Sequence, residues 1–390
     1  MDKNRIKSAQ FIDTYYPTVD GVVQTVANYA KLMNEISYSM VVAPKNPEKY
    51  IDEFSYDVLR TAAIKIPFWE YSLPVPKLDL NLKKSLKSRE FDIFHAHSPF
   101  TVGMYAESLG KSLNIPVVAT FHSKYYDDVL RLTGSKFIAE QITNMVVRFY
   151  QKADSVWSVS NGTAETLKSY GYKGDIFVIN NGTDFSEPTN SQELKEIVAQ
   201  KFAIPKDKKI ILFVGHQIWQ KNLKLVLDTY RRILDKSDDY RLVIVGNGYA
   251  EKEIKNYSAK LGFSKRQVIF TGKISDRNLL SGMFLCGDLF FFPSVYDNAP
   301  LVVREAAQMG LPALLTKGSN AAETVEHNIS GFVAEENAED MEKEIFRIFE
   351  TEGLLKTAGE NAKKTIPVPW KEIIPIVLDK YAEIIEAKRK

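Results

Sequence analysis

The sequence predicts an α/β protein with two doubly wound domains, each a parallel sheet covered by helices on both faces. Three observations carry this prediction. The chain has 390 residues, which is more than one ordinary domain contains. Runs such as "IILFV" and "RLVIV" are apolar at successive positions, which is typical of strands buried on both faces. These runs alternate with stretches of helical spacing, and the alternation occurs twice along the chain.

The predicted strands divide into two sets. The first set is "KSAQFI", "SMVVA", "FDIFHAH", "PVVATFH", "SVWSVS" and "IFVIN", and the second is "KIILFVG", "RLVIVGNG", "QVIFTG", "DLFFFPS", "PALLT" and "GFVAE". A polar, turn-rich stretch separates the sets, so we expect one domain over residues 1–184 and another over residues 185–370. An amphipathic helix at about 371–390 can pack back on the first domain. Ligands bind beyond the carboxyl ends of such strands, which predicts a central cleft between two facing domains.

Composition narrows the class of protein. The net charge of +2 gives no broad positive field, so nucleic acid is not an expected partner. Cys286 is the only cysteine in the sequence, which excludes an internal disulfide framework and fits a reducing compartment. No apolar run reaches about 18 residues and no secretory signal opens the chain. We therefore expect a cytoplasmic protein, and a protein of this kind can also bind peripherally to the inner face of the cell membrane.

The segment "DLFFFPSVYDNAPLVVREAAQ" carries the strongest functional signal. A buried strand ends at Ser294, a loop holds Asp297, and a helix begins near Leu301 with Glu305 one turn in. The helix N-terminus offers unpaired N–H groups and a partial positive charge. Both carboxylates can accept hydrogen bonds from sugar hydroxyls. The alternative is that Asp297 caps the turn and Glu305 is a solvated acid of the first helical turn.

This segment resembles the signature of retaining glycosyltransferases of family 4, which have the GT-B fold. In that signature a Glu follows Pro-Ser, and a second Glu, followed by Ala, lies eight positions later. Glu305 and Ala306 match the second acid and its neighbour, whereas Asp297 stands where the first Glu is usual. The resemblance implies that Glu305 holds the ribose of a nucleotide-sugar. It also implies that the sugar is held by Asp297 and by the loop residues Asn298, Ala299, Pro300 and Leu301.

The stretch "GHQIWQKN" follows the first strand of the second domain. In the resembling family this strand end carries an Arg and a Lys that bind the donor diphosphate; Gly215 and Lys221 match, and His216 replaces the Arg. Lys221 would neutralise the departing diphosphate, whereas an unperturbed His is mostly neutral at pH 7. Arg304 is a candidate replacement cation, with a solvent-facing position as the alternative. For Trp219 we favour a core position over a lid against the donor.

Two further strand ends in the second domain are candidate donor contacts. "VGNG" places Gly246 and Gly248 after a strand, although a bare Gly-x-Gly is often only a tight turn. "TGKI" resembles the loop that meets the uracil base, which implies donor contacts at Lys273 and Ile274.

In the first domain, a glycine and three histidines lie at predicted strand ends or helix starts. Gly21 opens a helix, where backbone N–H groups can approach an anion, and Asp20 can cap the same helix. "TFH" matches the family, which implies that His122 hydrogen-bonds the donor sugar and can accept a proton. His95 and His97 share a strand face, so a metal pair is possible in principle. We interpret His97 as part of the cleft wall.

No Asp-x-Asp motif occurs in the sequence, which favours a transferase that needs neither a metal nor another cofactor. We interpret the chain as a retaining hexosyltransferase. The expected donor is a UDP-sugar, with UDP-glucose as the first candidate, and the expected acceptor is a glycerolipid such as diacylglycerol. The alternatives are a lipid-linked or soluble glycan acceptor, and a non-catalytic nucleotide-sugar-binding or scaffold protein. The predicted catalytic residues are His122, Lys221, Asp297 and Glu305, and the predicted donor contacts are Gly21, Gly215, His216, Lys221, Gly246, Lys273, Ile274, Asn298, Ala299, Pro300, Leu301 and Glu305.

The segment "IPFWEYSLPVPKLDLNLKKSLKSREF" is a candidate membrane contact in the first domain. It interleaves leucines with five cations, Lys77, Lys83, Lys84, Lys87 and Arg89. A basic amphipathic segment can lie on an anionic membrane, at about 1 kcal/mol per cation near the surface. The alternative is an ordinary helix that covers the sheet and keeps its lysines in water.

Overall fold

The computed structural model describes residues 5–46, 50–65 and 72–390, and the chain divides into two compact units. Unit 1 comprises Met1–Asn181 and Trp370–Lys390, and unit 2 comprises Gly182–Pro369. Each unit is a parallel sheet with helices packed against it, so the predicted doubly wound α/β class is confirmed. The division falls between residues 181 and 182, against an expected boundary between 184 and 185.

Unit 1 contains a seven-stranded parallel sheet. Its elements in chain order are β1 (Lys7–Phe11), α1 (Gly21–Met33), β2 (Tyr38–Pro44), β3 (Val58–Thr61), β4 (Ala63–Lys65), β5 (Ser72–Pro74), α2 (Leu80–Ser88), β6 (Ile93–Ala96), α3 (Thr101–Leu113), β7 (Val117–Phe121), α4 (Tyr125–Thr133), α5 (Lys136–Tyr150), β8 (Ser155–Ser158), α6 (Asn161–Ser169), β9 (Phe177–Val178) and, after unit 2, α14 (Trp370–Arg389).

The strand order of this sheet is β3-β2-β1-β6-β7-β8-β9, and β4 and β5 form a separate antiparallel pair. The order reverses between β1 and β6, where connections leave in opposite directions and open a crevice at the carboxyl ends. Phe11 pairs with Ala96 at that point. Asp13 and His97 follow these two strand ends, so the crevice of unit 1 is lined by polar side chains of both.

Unit 2 contains a six-stranded parallel sheet. Its elements in chain order are α7 (Ser191–Lys201), β10 (Lys209–Val214), α8 (Leu223–Leu234), β11 (Tyr240–Val245), α9 (Glu251–Lys260), β12 (Val268–Gly272), α10 (Arg277–Cys286), β13 (Leu289–Phe292), α11 (Leu301–Gln308), β14 (Ala313–Thr316), β15 (Phe332–Ala334), α12 (Ala338–Glu350) and α13 (Leu354–Thr365).

The strand order of unit 2 is β12-β11-β10-β13-β14-β15. Its reversal point lies between β10 and β13, which carry the two motifs with the strongest functional signal. The four residues of β13 are all buried, as are the last five of β10. The continuous apolar runs of the sequence therefore form the centre of a sheet covered on both faces.

The C-terminal helix α14 belongs to unit 1. It buries an apolar face that includes Trp370 and Tyr381, and the Trp370 ring meets the Tyr29 ring of α1 edge-on at 5.7 Å. Within the described residues, no helix combines the length and the apolar character needed to cross a membrane.

Asp13 fixes the turn that leads from β6 into α3. Its carboxylate accepts hydrogen bonds from the Ser98 hydroxyl at 2.5 Å, the Thr101 hydroxyl at 2.8 Å and the Val102 amide at 2.9 Å. Burial raises the pKa of Asp13, and these hydrogen bonds oppose that shift. The turn is so tight that a Cβ atom on Gly103 would lie 1.8 Å from the carbonyl oxygen of Ser98.

Gly103→Ala is therefore expected to destabilise unit 1 by about 1–3 kcal/mol, because the added methyl group meets backbone rather than a movable side chain. Gly21→Ala is the matched control, since no atom lies within 4 Å of its Cβ position. Urea unfolding monitored by circular dichroism measures both variants. Equal stability of the two variants would contradict the close approach seen at Gly103.

Candidate active site

The strand ends of β10 and β13 are joined by an ion pair. Lys221 lies in a single 3-10 turn, Trp219–Lys221, between β10 and α8, and its ammonium group contacts the Asp297 carboxylate. The Ser294 hydroxyl donates to the other Asp297 oxygen at 2.6 Å. The ammonium also lies 5.4 Å from the centre of the Phe292 ring. Two residues that the sequence predicted separately therefore form one charged pair, mostly shielded from solvent, at the reversal point of the sheet.

Glu305 forms a second charged cluster on α11. Its carboxylate accepts a hydrogen bond from Arg277 at 3.0 Å, and the same guanidinium contacts Asp184. The guanidinium lies 3.8 Å from the centre of the Phe185 ring, which is a close cation–π contact. Burial raises the pKa of Glu305, while the charge and hydrogen bond of Arg277 lower it. Glu305 is therefore a half-buried carboxylate oriented by Arg277, and not the solvated acid of the alternative interpretation.

Arg304 does not supply the missing diphosphate cation, and it does not face solvent. Its side chain is buried and donates a hydrogen bond to the Ile366 carbonyl at 2.9 Å, at the end of α13. Burial lowers the pKa of Arg304 to about 10. The sequence-based expectation for Arg304 was wrong because one residue along a helix rotates a side chain by about 100°. Glu305 lies toward Arg277, and Arg304 lies toward the end of α13.

The glycines of unit 2 let the strand ends approach each other. Gly246 has a φ of +126°, and a Cβ atom there would lie 2.0 Å from the Gly215 carbonyl oxygen. The Gly246 amide donates to the Gly272 carbonyl at 2.9 Å. A Cβ atom on Gly248 would lie 2.5 Å from the Gln217 carbonyl oxygen. The Gly-x-Gly pattern thus has a packing reason of its own, and ligand contact at Gly246 stays a prediction.

The other predicted donor contacts differ in exposure. His216 and Lys273 are exposed, whereas Ile274 packs against the core of unit 2. In the loop before α11, Asn298 is buried and accepts a hydrogen bond from Asn320 at 2.8 Å, while Ala299, Pro300 and Leu301 are half-buried.

Trp219 occupies the packed position that the sequence favoured. Its ring lies against the unit 2 core, and its indole N–H donates to Glu253 at 2.8 Å.

In unit 1, Asp20 caps α1 by accepting from the Val23 amide at 2.8 Å, and Gly21 is the exposed first residue of that helix. The capping role proposed for Asp20 is confirmed, and anion binding at Gly21 stays a prediction.

The three histidines of unit 1 form a buried polar network. His97 Nδ1 lies 3.2 Å from His122 Nε2, and His97 Nε2 lies 3.0 Å from Gln10 Oε1. His95 bonds the Tyr381 hydroxyl of α14 and the Thr120 hydroxyl, both at 2.6 Å. The His95 and His97 rings stack with their centres 4.0 Å apart.

Burial sets the charge state of these histidines. It lowers the pKa of His95 and His97 well below the usual value, and that of His122 to about 3. All three rings are therefore neutral at pH 7. Each ring nitrogen of His95 and His97 already contacts another side chain. Neither ring therefore has a nitrogen open to bind a metal ion, which argues against the metal pair. Across residues 5–46, 50–65 and 72–390, no group of three or more His, Cys, Asp or Glu side chains is placed to hold a metal ion.

The basic segment before β6 has two faces. Leu82 and Leu86 of α2 are buried in the unit 1 core, as expected of a helix that covers the sheet. Leu78 and Leu80 are instead 77% and 78% exposed. Here the term α2 surface denotes these two leucines with the exposed lysines Lys77, Lys83, Lys84 and Lys87. The aromatic residues Phe68, Trp69 and Tyr71 of the predicted segment lie outside the described residues.

Both halves of the chain match known glycosyltransferase families. Residues 195–365 match "Glycosyl transferases group 1", and residues 19–187 match "Glycosyltransferase Family 4". The architecture is that of the GT-B fold. The crystal structure of the Anabaena protein HepE in complex with UDP and glucose superposes on this chain with a TM-score of 0.77 at 16% identity. The superposition covers 97% of this chain and 100% of HepE. The chain belongs to the family 4 glycosyltransferases of GT-B fold.

Among its relatives are enzymes that glycosylate lipids. An alpha-monoglucosyldiacylglycerol synthase of Streptococcus pneumoniae is 25% identical over 314 residues, which is 78% of this chain and 69% of that protein. The enzyme of the same name from Acholeplasma laidlawii is 22% identical over 97% of this chain and 98% of its own length. The predicted resemblance to bacterial glycerolipid glucosyltransferases is confirmed.

Sequence reasoning missed two features of the site. Arg277 was not singled out, because its partner Glu305 lies 28 positions away and only the fold brings the first residue of α10 to it. Gln10 was read as part of the strand "KSAQFI", although a buried glutamine in an otherwise apolar strand is itself a signal of a polar network.

The buried histidines predict a loss of stability in mild acid. Their folded pKa values lie below the unfolded value of about 6.5, so the unfolded chain binds more protons below that pH, and stability falls as pH decreases. Three such groups should cost about 4 kcal/mol between pH 7.5 and 5.5. This change is measured by urea unfolding at the two pH values, with the unfolding of unit 1 monitored through hydrogen exchange of its peptides.

Two variants isolate the histidine contribution. His122→Asn should reduce the acid loss by about one third, since one of three titrating rings is removed. His327→Asn, at an exposed position of unit 2, should leave it unchanged. The same loss in His122→Asn as in the wild-type chain would contradict a buried, neutral His122.

Proposed function

We propose that the chain is a retaining hexosyltransferase that moves glucose from UDP-glucose to a membrane glycerolipid such as diacylglycerol. The observation that carries the proposal is the pairing of Lys221 with Asp297 at the reversal point of the unit 2 sheet. Glu305 lies half-buried on the helix that follows, where Arg277 orients it. Such a place supplies a cation for a diphosphate and carboxylates for hydroxyl groups.

The chemistry assigned to the site is transfer on one face of the sugar. The bond between the anomeric carbon and the diphosphate oxygen breaks, and the acceptor oxygen bonds that carbon from the same side. The acceptor proton passes to the departing diphosphate. Lys221 neutralises the developing charge together with the N-terminus of α11, so we propose that the reaction needs no metal ion or other cofactor. Glu305 holds the ribose, Asp297 holds hexose hydroxyls, and His122 hydrogen-bonds the sugar.

The choice of donor is supported by similarity and by the carboxylates. The names of the two alpha-monoglucosyldiacylglycerol synthases specify a glucosylated product, and the structural relative HepE is in complex with UDP and glucose. The loop before α11 adds the buried Asn298, whose carbonyl already bonds Asn320. A preformed polar loop of this kind suits a ligand rich in hydroxyl groups.

The α2 surface supports an acceptor that lies in a membrane. Leu78 and Leu80 are too exposed to stabilise the fold, and they stand beside lysines that an anionic lipid surface would attract. A second apolar feature, the turn between α4 and α5, exposes Leu132 and Phe137 by 68% and 69%. We therefore propose a peripheral position on the inner face of the cell membrane.

Lys221→Ala should lower kcat for UDP release from UDP-glucose in the presence of diacylglycerol vesicles by roughly 100-fold or more, because an electrostatic contact to the leaving group is lost. Glu305→Ala should lower kcat/KM for the donor by roughly tenfold to a hundredfold, because a charged hydrogen bond to the ribose is lost. Lys317→Ala, which removes an exposed ion pair with Glu335 elsewhere in unit 2, is the control. Near-normal activity of both site variants would refute the proposed site.

Replacement of Lys83, Lys84 and Lys87 by Gln should weaken binding to vesicles that contain phosphatidylglycerol by roughly a hundredfold, since each cation contributes about 1 kcal/mol near the surface. The matched control replaces three exposed lysines of unit 2, Lys252, Lys260 and Lys265. Vesicle co-sedimentation at low and high salt measures binding. An equal loss in both triple variants would mean that net charge alone governs it.

A further inference from the structure

Gln10, His97 and His122 form a chain of hydrogen bonds that runs from the middle of the unit 1 sheet to the end of β7. Gln10 Oε1 lies 3.0 Å from His97 Nε2, and His97 Nδ1 lies 3.2 Å from His122 Nε2. Gln10 and His97 are essentially without solvent exposure, and His122 is 7% exposed. The direction of each hydrogen bond is therefore set inside the protein rather than by water.

The surroundings of the Gln10 amide decide which end faces His97. Its nitrogen lies 3.2 Å from the hydroxyl oxygens of both Ser8 and Ser39, and 3.8 Å from the Met33 sulfur. A thioether sulfur accepts hydrogen bonds and cannot donate. The opposite orientation would place the amide oxygen against the sulfur lone pairs. The NH₂ group therefore faces Met33, and the carbonyl oxygen faces His97.

A fixed carbonyl orders the rest of the chain. Because the carbonyl oxygen only accepts, His97 Nε2 must carry the hydrogen of that bond. A neutral imidazole has one N–H group, so His97 Nδ1 is an acceptor, and His122 must donate to it from Nε2. Burial keeps both rings neutral at pH 7 by lowering their pKa values.

We propose that Gln10 and His97 are positioning residues that hold His122 as the tautomer with its hydrogen on Nε2 and its lone pair on Nδ1. The significance for catalysis rests on the proposed function. Where His122 contacts the donor sugar, this tautomer makes Nδ1 an acceptor of a hydroxyl hydrogen. His97 is then more than a wall residue, because it decides whether His122 accepts or donates.

His95 offers a matched comparison within the same network. Its ring stacks on that of His97 and is equally buried, but its nitrogens bond the hydroxyls of Tyr381 and Thr120 and not the ring of His97 or His122. The Tyr381 hydroxyl lies 3.5 Å from the Gln10 nitrogen, so His95 is linked to Gln10 only on the NH₂ side of its amide. A loss of packing should affect the two positions alike. A loss of hydrogen-bond direction should affect His122 only when His97 is changed.

The test is an NMR measurement on the full chain with ¹³C- and ¹⁵N-labelled histidine at pH 7.5, with the His122 signals assigned from His122→Asn. The ring ¹⁵N shifts report which nitrogen carries hydrogen. The wild-type chain should show His122 as the Nε2–H form. A His122 that is mainly the Nδ1–H form, or doubly protonated, would overturn the inference without any variant.

Substitutions then test the cause. His97→Phe should raise the Nδ1–H population of His122, and His95→Phe should leave it as in the wild-type chain. Gln10→Met removes the carbonyl from the chain of hydrogen bonds and should also raise the Nδ1–H population of His122. It is the replacement test if His97→Phe does not fold. An unchanged His122 tautomer in His97→Phe or, if that variant does not fold, in Gln10→Met would refute the positioning role.

Activity separates this inference from the proposed function. With UDP-glucose and diacylglycerol vesicles, His97→Phe should lower kcat by roughly tenfold to a hundredfold, as expected when a contacting group is misoriented, with little change in KM for the lipid. If the wild-type chain shows the Nε2–H form but releases no UDP, the proposed function fails and the positioning of His122 stands. If it releases UDP and the Nδ1–H form dominates, the positioning fails alone.

Discussion

Most of the polar side chains described at the carboxyl ends of the parallel strands have hydrogen-bond or ionic partners, and this pairing shapes both units. An unpaired polar group or charge in a dry environment costs several kcal/mol. Unit 2 meets the constraint with ion pairs, Lys221 with Asp297 and Arg277 with Glu305. Unit 1 meets it with neutral hydrogen bonds among Gln10 and the histidines. The groups assigned to a charged diphosphate thus lie in the ionic network, and the ring assigned to the sugar lies in the neutral one.

The two departures from the family pattern can be understood in these terms. Asp297 is one methylene shorter than the usual Glu, and its carboxylate sits between the Lys221 ammonium and the Ser294 hydroxyl. His216 replaces an Arg and is exposed, so the shielded positive charge of this strand end comes from Lys221. A single fixed cation with its own carboxylate can bind a diphosphate when the α11 N-terminus shares the charge.

The fold was largely predictable, because runs such as "IILFV" and the positions of Gly and Pro act locally along the sequence. Short, half-exposed strands were missed: β3, β4 and β5 have no continuous apolar run. Local sequence also predicted Lys221, Asp297 and Glu305 as site residues, since each comes after a strand end. It could not give their partners. Arg277, the first residue of α10, reaches Glu305 only through the fold of unit 2, and the burial of Arg304 follows from helix rotation.

Donor turnover decides whether this chain transfers a hexose from a nucleotide-sugar without a metal ion, as we propose. Purified protein would be incubated with a panel of UDP- and GDP-sugars in EDTA, with and without diacylglycerol vesicles, and nucleotide release measured. We expect release of UDP from UDP-glucose, increased by the vesicles. Release that the vesicles do not change would contradict the lipid acceptor and point to a glycan. The absence of both release and nucleotide binding would contradict the transferase itself.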